Sequence, residues 1–129
     1  MSDEPKMKPG EIVWRDIAVP DAAALRDFYC QVVGWASEGL DMGGYEDYVM
    51  VPPGSADGVA GVCHARGENA GLPPQWLIYI AVADLDESIR SCERLGGEIV
   101  HGPRALGSSR FCVVRDPVGA VCGLIQASG

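Results

Sequence analysis

The side chains suited to nucleophilic or base catalysis are few in this sequence. Its two histidines are His64 and His101. Imidazole titrates near neutral pH, so a histidine is a natural general base, and Cys63 beside His64 raises the possibility of a nucleophile and its base. Adjacent residues of a strand point to opposite faces, however, so this pair is not expected to share a proton. His101 precedes a Gly-Pro pair, where a strand is expected to end, and is predicted to be solvated.

Carboxylates are numerous, and one of them stands out by its position. Asp16 follows Trp14 by two residues in a predicted strand, so the two side chains share a face. Asp16 is therefore a candidate buried acid; alternatively it pairs with Arg15 or with a partner subunit. Glu46 and Asp47 flank another predicted strand and are expected to be surface groups. No glycine-rich nucleotide-binding pattern occurs.

Composition restricts the partners. The 129 residues include 18 acidic and 10 basic side chains, a net charge of −8. Without a basic stripe, nucleic acid and anionic membranes are not expected partners. No apolar run reaches ~18 residues, and no signal region follows the N-terminus, which predicts a cytoplasmic protein. Five cysteines without C-x-x-C spacing argue against a disulfide framework and a structural zinc site.

Short strands and two helices must position these groups. The pattern predicts an N-terminal arm at 1–10 and one domain at 11–129, which comprises module one at 11–64, a connector at 65–75 and module two at 76–126. Each module has the order β-α-β-β-β. The connector contains glycine and proline and lacks periodicity.

The two modules share residues at a fixed offset, which indicates an internal duplication. Ile17-Ala18-Val19 with Asp21 recurs 63 residues later as Ile80-Ala81-Val82 with Asp84. Both aspartates are expected to cap a helix. At the same offset Gly34 matches Gly97, and Tyr48-Val49 matches Phe111-Cys112.

Three segments carry a resemblance to a known family. They are Asp16-Ile17-Ala18-Val19-Pro20-Asp21 leading to Gly34-Trp35, Tyr79-Ile80-Ala81-Val82, and the hairpin Asp116-Pro117-x-Gly119. The chain resembles the vicinal oxygen chelate superfamily, which includes glyoxalase I, bleomycin resistance proteins and extradiol dioxygenases, and within it a glyoxalase-like group related to lactoylglutathione lyase. The resemblance implies an α+β fold in which two βαβββ modules form an open curved sheet around a cup.

The resemblance also implies where metal-dependent members hold their metal. Ligands from the first and last strands of each module correspond here to Trp14, Leu77, Gly123 and one of Val62, Cys63 or His64. Three of these four positions carry no metal-binding side chain. We therefore expect no metal, no cofactor, and no metal-dependent glyoxalase I or dioxygenase activity.

Aromatic residues lie on the strands that line the cup in this family. Trp14, Trp76 and Tyr79 lie on the two first strands, and Tyr45, Tyr48 and Phe111 on the third strands. If half of them face the cup, it suits a hydrophobic or planar ligand. The alternative is that they fill the core.

The sequence is compatible with three functions. The first is binding of a small apolar or planar organic molecule, by analogy with drug-sequestering relatives. The second is a metal-independent lyase or isomerase that uses Asp16 or His64 as acid or base. The third is an interaction module whose cup is filled by its own side chains. A homodimer is expected, because open sheets leave edges to cover. The predicted ligand-binding residues are Trp14, Asp16, Cys63, His64, Leu77, Tyr79, Phe111 and Gly123.

Overall fold

The computed structural model describes residues 7–127, and these form two βαβββ modules. The first module contains β1 (Ile12–Val19), α1 (Ala22–Val33), β2 (Ala36–Asp41), β3 (Glu46–Val51) and β4 (Ala60–His64). The second contains β5 (Leu77–Val82), α2 (Leu85–Arg94), β6 (Glu98–Leu106), β7 (Ser109–Arg115) and β8 (Val121–Gln126). The predicted α+β class and the repeated order of elements are confirmed.

Each module has the same strand order. The first reads β1-β4-β3-β2 and the second reads β5-β8-β7-β6. In both, the first strand pairs in parallel with the last, and the remaining pairs are antiparallel. The parallel ladders align Asp16 with Gly61 and Tyr79 with Gly123.

Side-chain caps begin both helices where the sequence predicts them. Asp21 Oδ1 accepts a hydrogen bond from the backbone N–H of Ala24 at 3.0 Å, and Asp84 Oδ1 accepts one from Glu87 at 3.1 Å. These bonds satisfy N–H groups that have no partner within the helix. Gly34 ends α1 with a φ of 88°, a left-handed conformation that glycine adopts without strain.

Each helix covers one face of its own sheet. Beneath α1 the buried core contains Ile17, Ala22, Tyr48, Met50, Ala60 and Val62. Beneath α2 it contains Leu85, Cys112 and Val114. Side chains that alternate with these along the strands lie on the opposite side, which we call the far face of the module.

Two segments differ from the prediction. The strand expected at residues 99–101 extends over Glu98–Leu106. Trp76, expected in the first strand of the second module, precedes β5, and its indole Nε1 donates to the Tyr29 hydroxyl at 2.9 Å, in the core of the first module. Trp76 therefore packs with the first module, although it directly precedes the first strand of the second module.

The chain divides into two compact units near the predicted module boundaries. Residues 14–76 form one compact unit, and the described residues before and after them form the other. Gly10, the last residue of the predicted arm, and Glu11 belong to the unit that contains β5. Gly10 N donates to Ala81 O at 2.7 Å, and Ala81 N donates to Glu11 O at 2.8 Å. Residues 1–6 of the arm lie outside the described residues, and the proposed domain boundaries stay a prediction.

Neither α1 nor α2 has the length and apolar character that crossing a lipid bilayer requires.

Candidate functional site

On the far face of the first module, an indole, a carboxylate and a thiol surround one glycine. A Cβ placed on Gly61 would lie 3.1 Å from the Cβ of Asp16, 3.5 Å from Cys63 Sγ and 3.6 Å from Trp14 Nε1. Ile17, which alternates with Asp16 along β1, packs in the core beneath α1. Trp14 and Asp16 thus share the face that strand alternation predicts, and Cys63 lies beside them.

The Cys63 thiol is protonated at neutral pH. Burial raises its pKa far above the ordinary value, and the nearby carboxylates of Asp16 and Asp47 raise it further. The thiolate is the nucleophilic form of cysteine. Cys63 therefore contributes a small, weakly polar surface to this face and is not a nucleophile at neutral pH.

Asp47 is buried, and the prediction that it is a surface group is wrong. The residue is 5% exposed, and it is the one buried charged residue among those whose side chains the structure describes. Its Oδ1 accepts a hydrogen bond from the backbone N–H of His64 at 2.8 Å and lies 3.6 Å from His64 Nδ1; the carboxylate is also hydrogen-bonded to Cys63. Such bonds are what allows a carboxylate to be buried.

His64 lies on the helix side of β4, away from Trp14 and Asp16. Its ring lies 5.7 Å from the Tyr45 ring and 6.2 Å from the Tyr48 ring, and Tyr48 belongs to the core beneath α1. Its Nδ1 is 2.8 Å from the carbonyl oxygen of Glu46. Cys63 and His64 thus occupy opposite faces, as alternation predicts, and form no catalytic pair.

On the far face of the second module, the Tyr79 ring covers Gly123. A Cβ placed on Gly123 would lie 2.9 Å from Tyr79 Cγ and closer still to Cδ2 and Cε2. Leu77 precedes Tyr79 by two residues on the same side of β5, and both side chains are buried. The ring therefore fills the volume that any side chain at position 123 would need.

The pairing registers align the last strands of the two modules, which the sequence leaves open. Asp16 pairs with Gly61 as Tyr79 pairs with Gly123, so Gly61 is the counterpart of Gly123 and lies one residue before the candidates Val62, Cys63 and His64. The segment from Asp16 to Gly61 is one residue longer than the segment from Tyr79 to Gly123. The 63-residue offset that relates the first strands therefore does not relate the last strands.

The same difference affects the third strands. Tyr48 pairs with Val62, and Cys112 pairs with Leu124, so Tyr48 corresponds to Cys112. The predicted match of Tyr48 with Phe111 is therefore wrong by one residue. Tyr48 packs beneath α1, whereas Phe111 lies on the far face of its module.

Phe111 is the centre of a cluster on the far face of the second module. Its ring centroid lies 6.0 Å from that of Tyr79 and 6.2 Å from that of His101, and the guanidinium carbon of Arg104 lies 4.6 Å from it. Arg104 Nε donates a hydrogen bond to His101 Nε2 at 2.8 Å. His101, predicted to be solvated, is half-buried, and Arg104 was not among the candidate residues.

A bulge in β6 brings His101 and Arg104 to one face. His101 pairs with Val113 and Arg104 with Phe111, so three steps along β6 match two along β7. Without the extra residue, positions 101 and 104 would point to opposite sides. The Gly-Pro pair at 102–103 is the sequence signal, because glycine and proline inside a strand mark bulges.

The sequence profile of the Glyoxalase/Bleomycin resistance protein/Dioxygenase superfamily matches residues 11–122. The chain belongs to this superfamily. The Anthracycline biosynthesis protein DnrV of Streptomyces peucetius is 32% identical over 130 residues, a match that covers 89% of this chain and 46% of that protein. The chain spans about half the length of the curated relatives it matches.

Solved structures show the same fold. The hypothetical protein BH1468 from Bacillus halodurans C-125 matches with a TM-score of 0.61 at 14% identity and covers 95% of this chain and 97% of that one. Methylmalonyl-CoA epimerase from Mycobacterium tuberculosis matches with a TM-score of 0.51 at 22% identity and covers 89% and 86%. At these identities the likeness concerns the fold alone.

The positions at which the resemblance would place metal ligands do not fit a divalent cation. Trp14, Leu77 and Gly123 carry an indole, an alkyl group and a hydrogen, none of which binds such a cation. The strand register moves the fourth position from Val62, Cys63 or His64 to Gly61, which also has no side chain to bind with. The Tyr79 ring also fills the space beside Gly123. Among the side chains that the structure describes, no three His, Cys, Asp or Glu residues are grouped so as to hold a metal ion.

Proposed function

We propose that this protein binds a small apolar or planar organic molecule on the far face of a module, without a bound metal. One observation carries the proposal: in each module an aromatic ring from the first strand lies at a glycine of the last strand. The Trp14 indole lies beside Gly61, and the Tyr79 ring lies over Gly123. Aromatic surfaces with a few polar groups are typical of sites for planar ligands.

The half-buried state of Trp14 supports a role in contact with a ligand. Its neighbours Asp16 and Cys63 place one carboxylate and one neutral thiol beside the indole. An indole gives stacking area, and a carboxylate can accept a hydrogen bond from a hydroxyl group. This combination suits a flat aromatic molecule that carries hydroxyl groups.

A relative supports the same ligand class. DnrV, 32% identical over 130 residues, is named for anthracycline biosynthesis. Anthracyclines contain fused, flat aromatic rings with hydroxyl and carbonyl groups. We therefore take polycyclic aromatic compounds as the first ligands to test.

The second candidate function is a metal-independent lyase or isomerase reaction with Asp16 as acid or base. The position of the Asp16 side chain, whose Cβ lies at Gly61 as the Trp14 indole does, favours it. His64, the other candidate, lies on the helix side and is not available to a molecule on that face. Loss of turnover in Asp16→Asn with retained ligand binding would support this function over binding alone.

The test of ligand binding uses a soluble anthraquinone, followed by calorimetry and by tryptophan emission. We expect saturable binding and a change in emission that disappears in Trp14→Phe, with affinity weakened about 2- to 10-fold for loss of one stacking contact. Trp35→Phe is the control, because Trp35 packs against Tyr29 and Trp76 in the core beneath α1. Absence of binding, or an emission change that survives in Trp14→Phe, would contradict the proposal.

A histidine at position 14 separates binding from metal chemistry. Trp14→His would supply one ligand where metal-dependent members use four. We expect weaker anthraquinone binding and no activity that depends on added Ni²⁺, Zn²⁺ or Fe²⁺. Metal-dependent turnover in this variant would show that the remaining positions can still hold a cation.

We also propose that the protein is a homodimer. In the first module β2 is an edge strand, and all six of its residues are exposed. Exposed edges are commonly covered by a partner, and two-fold pairing is the most common arrangement of soluble oligomers.

A further inference from the structure

We infer that a second copy of this chain docks on the exposed face of α1, with the two α1 helices antiparallel and related by a two-fold axis at Phe28. The inference rests on the proposed homodimer and names the surface through which its copies meet. It concerns the outer side of a helix and is separate from the proposed ligand site on the far face.

An apolar stripe runs along the outside of α1. Ala24, Phe28 and Val32 are spaced four residues apart, so they follow one side of the helix. All three are exposed, Phe28 at 53% and Val32 at 64%. The Phe28 ring centroid lies 5.1 Å from that of Tyr29, which packs against the core beneath α1, so the exposed ring rests on an ordered base. Such a supported aromatic side chain is a suitable anchor for an interface.

The equivalent helix of the second module has a different exterior. Counted from the capping aspartates, Glu87 and Ser91 of α2 occupy the positions of Ala24 and Phe28 in α1. The outer side of α2 is charged, and its Arg90 pairs with Glu87. Both helices cover one face of a similar sheet, so this packing does not require an apolar exterior. The stripe on α1 therefore indicates contact with something outside its own module.

Charge favours this surface for contact between two copies. Each chain has a net charge of −8, so two copies repel each other in general. The charged residues of Ala22–Val33 are Arg26 and Asp27, which pair with each other at 2.9 Å and leave the helix neutral. On this face a second copy can approach without bringing unpaired carboxylates together.

The stripe is complementary to itself under a two-fold rotation. A two-fold interface requires a surface that fits its own copy. With Phe28 on the axis, the antiparallel arrangement places Ala24 opposite Val32 of the partner subunit, a small side chain against a larger one. The two Phe28 rings then meet at the centre of the contact.

The ends of α1 favour the antiparallel arrangement. Within Ala22–Val33, all of which the structure describes, the first turn holds no acidic side chain and the last turn no basic one. In α2 these places are filled by Asp86, Glu87 and Arg94, which oppose the partial charges at the helix ends. Antiparallel pairing brings the positive end of one α1 helix toward the negative end of the other.

The exposed edge strand continues this surface. Stable interfaces bury about 1,200 Å² or more in total, which three side chains of each copy do not supply. The strand β2 begins three residues after α1, lies beside it, and has all six of its residues exposed. The α1 stripe would form the apolar centre of the interface, and adjoining polar residues its rim.

The test measures the dissociation constant of the dimer by sedimentation velocity over a range of concentrations of the full chain. Phe28→Lys places two positive charges at the axis and should raise the dissociation constant about thirtyfold or more. Val32→Lys should raise it about tenfold. Val32 is the more exposed of the two, so this variant provides the test if Phe28→Lys does not fold by circular dichroism.

A matched control adds the same charge to the other module. Leu95 is 67% exposed and occupies, at the end of α2, the position that Val32 has in α1. Leu95→Lys should change the dissociation constant by less than about twofold, because this residue lies outside the proposed contact.

A charge pair tests the antiparallel arrangement. Ala24→Glu alone should weaken the dimer about tenfold, as Val32→Lys does. The double variant should return to within about threefold of the unmodified protein, because each introduced carboxylate would face the introduced ammonium of the other copy. Within one helix these positions lie ~12 Å apart along the axis, too far to pair.

The outcomes separate the α1 surface from the dimer itself. A monomer at every concentration would overturn both. A dimer whose dissociation constant is unchanged in Phe28→Lys and Val32→Lys would overturn the α1 surface and leave the dimer standing. Equal weakening in Leu95→Lys would assign the effect to overall charge, and failure of the double variant to recover would overturn the antiparallel pairing.

Discussion

Replacing Gly123 with alanine tests the packing of Tyr79 directly. The new Cβ would lie 2.9 Å from Tyr79 Cγ and closer to two other ring atoms, whereas carbon atoms in contact prefer about 3.5–4.0 Å. The ring must move, and overpacking of this kind costs roughly 1–3 kcal/mol. Gly123 has no left-handed backbone that would itself penalise alanine.

A double-mutant cycle isolates that cost. With the ring removed in Tyr79→Ala, the change Gly123→Ala should stabilise the fold by about 0.5–1 kcal/mol, because alanine loses less backbone entropy than glycine in a strand. The coupling energy between the two positions should therefore equal the overpacking cost, roughly 1–3 kcal/mol. An unrelated pair of sites would give a coupling near zero.

The measurement is the free energy of unfolding in urea, followed by tryptophan emission, for the four proteins of the cycle. Gly61→Ala serves as a comparison, because the nearest atom to its Cβ lies at 3.1 Å, and it should cost less than Gly123→Ala. If the effects of Tyr79→Ala and Gly123→Ala simply add, the ring does not cover the glycine and the account of this face is wrong.

Three further predictions follow from the sequence and the structure. Elemental analysis of untagged protein should find far less than one equivalent of Zn, Ni, Fe or Mn per chain; a value near one would contradict the proposed metal-free site. Light scattering at micromolar concentration should give a mass near twice 13.6 kDa, and a persistent monomer mass would refute the dimer. Burial raises the pKa of Cys112 from 9.0 to about 11, so the folded state holds this proton more tightly than the unfolded state does. The free energy of unfolding should therefore fall as the pH rises from 9.0 toward about 11, and fall less in Cys112→Ala, when measured by urea titration; equal falls would contradict the assignment.

Local chemistry made much of the fold predictable. Asp21 and Asp84 predict where the helices begin, because a helix cap needs only a side-chain acceptor three residues before a backbone N–H without a partner. Asp116 likewise accepts bonds from the backbone N–H groups of Val118 and Ala120 and forms the predicted hairpin turn. Alternation along β1 also places Trp14 and Asp16 together.

Features that depend on pairing between strands were missed. The burial of Asp47 depends on the backbone N–H of His64, 17 residues away in sequence. The shared face of His101 and Arg104 depends on a one-residue mismatch between β6 and β7. Neither can be read from periodicity within one strand, because a bulge or a neighbouring strand decides the result.

The register equivalence of Asp16 and Tyr79 has an evolutionary consequence. Both residues pair with a glycine of the last strand of their module, yet one is an acid and the other a phenol. If a symmetric assembly were built from separate single-module chains, every copy would carry the same side chain at this position. Joining two copies in one polypeptide lets each copy accumulate its own mutations, so that one position can hold a carboxylate while the other holds an aromatic ring.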